Sequence, residues 1–316
     1  MLTNLSTTLA TICLLLFMVS AALSQTPDAG GWIRVQSDDG EFSAEVPTKY
    51  RFFYDENGFA VGHVGHDLPV KKMEMLNAVT NGTLISIERY QASKTAVETF
   101  FDSDKGRRSS NVKGLDSSNG MRGNGAKYRQ LVQRADASYS VRQYFYTKDH
   151  IYVITTASRE GETPEMRRFL DSINVQMGVS ALIRPDATPF SKLQHSGVVV
   201  EDLTGQPVPP KPAKPTATQA ATKTPDPNVK PLVIIDKPLP GYTELARAAG
   251  VSGNIAVRLE FGEDGAIPKA SFMKALPNGL SRQALFALLR IKFLPQETAG
   301  VATSVTKSIE YTFSIY

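Results

Sequence analysis

The pattern of apolar and polar positions divides the chain into two ordered regions separated by a proline-rich stretch. From about residue 29 to 177 the period is mostly two. "EFSAEVP", "RFFYDE", "TLISIERYQ", "YRQLVQR", "SVRQYFYT" and "IYVITTAS" predict strands, and the last two predict a hairpin turning at Lys148-Asp149. Two stretches change to a helical period. "SKTAVETFFDSD" opens on Ser93 as an N-cap, and "TPEMRRFLDSI" on Thr163, with Pro164 at the first helical position. In the second, Met166, Phe169, Leu170 and Ile173 fall at i, i+3, i+4 and i+7, a single stripe suited to lie on a sheet. The region reads as an α+β domain, an antiparallel sheet with packed helices.

Residues 178–230 read as an irregular and proline-rich linker. "GVVVEDL" fits a short extra strand, but no other period emerges before "QPVPPKPAKPTATQAATKTPDPNVKP", which holds eight prolines from Pro207 to Pro231. Proline fixes φ and removes the ladder donor, so this stretch predicts extended polyproline II, a tether reaching several tens of ångströms at about 3.1 Å per residue. Residues 231–316 then form a small ββαβ unit. "PLVIIDKP" is a short strand, and "YTELARAAG" a short helix closed by Gly250. "GNIAVRLEF" turns at Asp264-Gly265 into "AIPKASFMKAL", whose Pro268 must sit where no ladder N–H is needed. "GLSRQALFALLRIKF" puts Ala284, Leu285, Leu288 and Leu289 on one helix face. The last run, "SVTKSIEYTFSIY", alternates strictly: Val305, Ile309, Tyr311, Phe313 and Ile315 against polar even positions, broken only by Lys307. That strand is expected at a sheet edge, with one row of backbone groups unpaired, unless a homodimer or another element covers it.

Near the start, "LATICLLLFMVSAAL" is an uncharged apolar run, Leu9 to Leu23, shorter than the roughly 20 residues of a transmembrane helix. Ala22-Leu23-Ser24 suits a signal peptidase, so residues 1–24 read as a signal peptide cleaved before Gln25. No Lys or Arg precedes the run, which leaves open a retained inner-membrane anchor over residues 9–23. The one cysteine, Cys13, lies within it, so a cleaved product has neither disulfides nor thiolate chemistry. Net charge is +4 from 35 basic and 31 acidic residues, spread without a dense basic run, which argues against a nucleic-acid partner.

Catalytic and metal signatures are missing from the sequence. There is no HExxH, no GxSxG and no nucleophile–base spacing. In "GHVGHD", His63, His66 and Asp67 diverge if the segment is extended and could converge only on a turn. His150, at a hairpin turn, and His195 read as incidental. "GMRGNGAK" lacks phosphate-loop spacing and reads as a turn. The expectation is no enzyme, no cofactor and no metal.

The final region resembles the C-terminal domain of the TonB family. Tyr242, Glu244, Ala246, Arg247, Gly253, Val257, Asp264, Gly265, Ala284, Phe293 and Pro295 match that family's pattern in order. Thr243 stands where the family usually has proline, and Leu294-Pro295-Gln296 departs from the common Lys-Pro-Ala. The ends of the first region, "GWIRVQSDDGEFSAEVP" and "MRRFLDSINV", resemble PsbP-like or Mog1-like modules, which implies a fold but no ligand. The TonB resemblance implies a non-enzymatic protein of the periplasm or cell envelope that binds an extended segment of an outer-membrane transporter by β-strand addition. Carried onto this chain, the docking edge is Ser304, Val305, Thr306, Lys307, Ser308, Ile309, Glu310, Tyr311, Thr312 and Phe313. The Pro238, Pro240 and Tyr242 loop is a second contact by family position. The alternative is a soluble periplasmic ligand-binding or sensor protein whose TonB-like domain only localises it.

Overall fold

A computed structural model of the protein describes residues 26–315 apart from 57–58, 64–65, 94, 96–113, 123–124, 148, 177–182 and 205–227. The apolar run 9–23, Cys13, most of the helix expected from Ser93 and the proline-rich stretch lie outside the described residues. Among the rest, strand strongly outweighs helix.

The main N-terminal sheet is antiparallel, in the order Arg51–Asp55, Lys72–Thr80, Thr83–Gln91, His150–Ser158, Ser138–Tyr146, Lys127–Ala135 and Leu115–Met121. The hairpin around Asp149 sets Phe145 opposite Tyr152. A smaller sheet joins Asn174–Val175, Phe42–Pro47, Trp32–Gln36 and, in parallel, Thr188–Pro189. Phe42, Val46, Ile85, Ile87, Phe145, Tyr152 and Phe169 fill the core between the two sheets. Helix Pro164–Ser172 opens as expected. Thr163 accepts a bond from the Met166 N–H, Pro164 occupies the first turn, and Met166, Phe169 and Ile173 are buried.

The stretch expected to be irregular before the prolines is ordered, because it supplies apolar anchors to both domains. Phe190 and Leu193 enter the N-terminal core. Ser196 N–H donates to the Phe52 carbonyl. Val199–Asp202 then pairs in parallel with Lys269–Lys274 of the C-terminal sheet. That sheet runs Val199–Asp202, Lys269–Lys274, Gly253–Phe261, Val305–Phe313. Pro268 precedes its strand, where its missing N–H costs nothing, and its carbonyl accepts from Val199. Helix Leu280–Leu289 crosses one face, with Leu280, Ala284 and Leu288 in the core beside Ile255, Val257, Leu259 and Phe261.

The two domains share a buried face. Along Thr83–Gln91 every residue before Gln91 is buried. Ile85 and Ile87 face the N-terminal core, whereas Leu84 meets Leu294, and Tyr90 shares a cluster with Phe286, which lies on the outward side of the C-terminal helix. Between them Glu88 lies 2.6 Å from Lys292 and 3.6 Å from Arg290, and Arg290 Nε donates to the Tyr90 hydroxyl at 2.6 Å. Burial works to raise the Glu88 carboxyl, but the two cations hold it down at about 2. Asp236 adds a second negative charge that acts on both cations. Burial, seconded by Arg290, nevertheless draws Lys292 below its ordinary range despite Glu88.

At the rim, Arg51 reaches Asp264 at 2.5 Å. The neighbouring Gly265 has φ 77°, and a Cβ there would stand 2.8 Å from Val79 Cγ2 and 2.9 Å from Leu84 Cδ1. Glycine therefore serves both the tight turn and the domain contact.

Candidate docking edge

The terminal strand is built by its alternation. Tyr311 and Phe313 are buried and Val305 and Ile309 half-buried, while Thr306, Ser308, Glu310 and Thr312 are exposed. It pairs antiparallel with Gly253–Phe261 in one register, from Val305 opposite Phe261 to Phe313 opposite Gly253. Among the described residues no strand lies on its other flank, so the sheet ends there with a row of backbone groups that no ladder pairs. Ser304 adjoins the strand and is exposed. The alternation continues in sequence to Ile315, but pairing stops at Phe313 and Ile315 is 46% exposed. Lys307 occupies the apolar parity yet is exposed, without an ion-pair partner among the described residues.

The loop expected to make a second contact is already engaged. Pro238 accepts a bond from the Tyr311 hydroxyl at 2.6 Å. Leu239 and Pro240 pair with Gly62 and Val61 of the N-terminal domain. Tyr242 donates to the Val251 carbonyl and packs edge-on against Phe313 at 5.5 Å, with Arg247 over its ring at 4.9 Å. These contacts fix Tyr242 as a support for the terminal strand. Burial raises the Tyr311 hydroxyl above its ordinary range, so it stays a neutral donor.

Residues 238–315 match the family model for the Gram-negative bacterial TonB protein C-terminal. This segment is a TonB C-terminal domain. The domain family serves protein interaction rather than catalysis, and it generally engages outer-membrane TonB-dependent transporters in the cell envelope. A comparison with curated proteins gives no match to the chain. No helix among the described residues is long and apolar enough to cross a membrane. In the TonB domain the edge strand is the final strand of the sheet, and the extra strand Val199–Asp202 closes the opposite side of Lys269–Lys274.

Outside the TonB domain, sequence reasoning missed one cluster. His150 is buried and accompanied by Glu41 at 2.9 Å and Asp39 at 3.8 Å. Ligand atoms of these three lie within 4.8 Å of one another. The cation they could hold is already supplied by Arg89, which donates to Asp39 and to Glu74 and lies 2.9 Å from His150 Nε2. Burial opposes ionisation of Asp39 and Glu41, but Arg89 for the first and His150 for the second hold both below the usual range. The set reads as an ionic core in which Arg89 supplies the positive charge. Its signal was absent because Asp39, Arg89 and His150 are far apart in sequence. His63 and His66, by contrast, are Cα partners at the facing ends of two antiparallel strands. His195 packs on Phe53 and Tyr54, an aromatic contact.

Proposed function

We propose that the protein is a non-enzymatic cell-envelope protein whose terminal strand, Ser304 to Phe313, accepts an extended segment of an outer-membrane transporter by β-strand addition. The observation that carries this reading is a nine-residue strand with one neighbour in a TonB C-terminal domain. Main-chain bonds along the open flank would give affinity, and alternate side chains selectivity. Lys307, an unpaired ammonium beside Val305 and Ile309, favours a partner with an acidic residue between two apolar ones. Among the described residues the N-terminal domain adds no strand to this flank, which supports the same reading.

The test uses the immobilised full-length chain and detergent-solubilised outer membranes. Retained proteins are expected to include a TonB-dependent transporter. Thr306→Pro and Glu310→Pro, with folding checked by circular dichroism, should lower retention roughly tenfold, because proline removes a backbone donor and crowds the ladder. Ser308→Ala and Thr312→Ala should change it little. Equal tolerance of both sets overturns backbone pairing.

A second reading, a periplasmic sensor localised by its TonB domain, draws on the extensive burial of the N-terminal module against that domain. The mature N-terminus separates the two. Cleavage before Gln25 removes residues 9–23 as an anchor and favours the sensor, and retention of that segment favours coupling to the inner membrane.

A further inference from the structure

The open flank is not uniform along its length. Asp236–Pro240 links the N-terminal domain to the edge strand through consecutive residues. Asp236 pairs with the buried Arg142 of the N-terminal sheet at 3.1 Å. Lys237 donates to the Glu310 carbonyl at 3.3 Å and stands 4.8 Å from the Tyr311 ring centre. Pro238 accepts from the Tyr311 hydroxyl. Leu239 and Pro240 return to the N-terminal domain and pair with Gly62 and Val61. The segment is thus rooted on the N-terminal domain at both ends and rests on the edge strand in the middle. Its contacts with that strand fall on Glu310 and Tyr311.

The root is set by electrostatics. Arg142 is largely buried, and burial of its guanidinium is offset by Asp236, which comes from the other domain, together with the Tyr144 hydroxyl and Thr155. Asp236 is paired with Lys292 in the C-terminal ladder and with Arg142 across the domain contact, so its place, and with it that of Lys237, is set in part by how the N-terminal domain is docked. An incoming strand needs the edge carbonyls as acceptors, and a lysine ammonium on Glu310 competes with it for that one.

We propose that Asp236–Pro240 is a strap through which the N-terminal domain divides the docking edge. An extended segment of an envelope partner pairs first along Val305–Ile309 and passes Glu310 only when Lys237 releases its carbonyl. This rests on the strand-addition reading above and adds to it a gate controlled from the N-terminal domain.

The experiment places the photocrosslinking residue benzoylphenylalanine at Ser308 or at Thr312 of the full-length chain, irradiated with solubilised outer membranes. Strong adducts are expected at Ser308 and weak ones at Thr312. Lys237→Ala removes an exposed side chain and threatens no core. It should raise the Thr312 adduct several-fold and leave Ser308 unchanged, and Asp236→Asn should act in the same direction. Adducts of equal strength at both positions, or a Thr312 adduct that neither variant moves, overturn the strap while leaving strand addition intact. Absence of adducts at both positions overturns strand addition itself, and the strap with it.

Discussion

Glu88 is a single carboxylate between Lys292 and Arg290, at the centre of the contact between the domains. Glu88→Gln removes the carboxylate paired directly with both buried cations and leaves them only the charge of Asp236, a loss of about 3–5 kcal/mol, measured by urea denaturation near neutral pH. Lys292→Met in the same chain should recover part of it. Because the folded carboxyl is held down at about 2 against an ordinary 4.5, its stabilisation is complete above pH 4.5 and fades as pH falls toward 2. The stability gap between wild type and Glu88→Gln should therefore close over that window. A gap independent of pH would show that Glu88 does not stabilise the docked state as a charge. Gly265 offers a second measure of the contact. Gly265→Ala meets both positive φ and Val79, and costs roughly 1–3 kcal/mol by the same denaturation.

Strands and helices were legible in the sequence, Thr83–Gln91 among them, but the second face that the other domain buries was not. The terminal strand announced itself because Thr306, Ser308, Glu310 and Thr312 are solvated, so polarity and parity coincide. In Thr83–Gln91 the partners of Glu88 and Arg89 lie on opposite sides of the sheet. The pattern records only that both are charged, while the groups that neutralise Glu88 stand some 200 residues away. Helix Leu280–Leu289 shows the same limit. Ala284, Leu285, Leu288 and Leu289 mark its stripe, but Phe286 on the opposite side reads as an ordinary exposed apolar residue until a second domain covers it. The candidate edge was legible as a strand and by its family resemblance. The engagement of Leu239–Pro240 with the N-terminal hairpin was not, since two residues carry no period. Val199–Asp202 makes an element-scale prediction. Replacing it with a Gly-Ser stretch uncovers the flank of Lys269–Lys274 and costs about 2–4 kcal/mol of ladder, with concentration-dependent association in sedimentation as the sign of a bared edge.

At the scale of the whole molecule, the proline-rich stretch does not separate the two folded domains. Leu203 N–H donates to the Phe272 carbonyl just before it, and Val229–Lys230 pairs with Glu297–Thr298 just after it, so both flanks are fastened to the TonB domain. The covalent crossing between domains is the short run from Phe190, in the N-terminal core, to Val199, in the C-terminal sheet. Shared burial of this kind makes the two domains one cooperative unit. Calorimetry of the full-length chain should show a single transition with van't Hoff and calorimetric enthalpies in agreement, and two resolved transitions would contradict it.

Fastening both flanks to one body has a mechanical corollary. Tension entering at the amino-terminal side is borne by the sheets, by the domain contact and by the Val199–Asp202 ladder. Only if both the domain contact and that ladder gave way would the residues between Leu203 and Val229 enter the line of force, adding roughly 70 Å of contour at about 3.1 Å per extended residue. The molecule is then stiff under small loads and long under large ones, with the ladder and the domain contact together as the fuse between the two regimes.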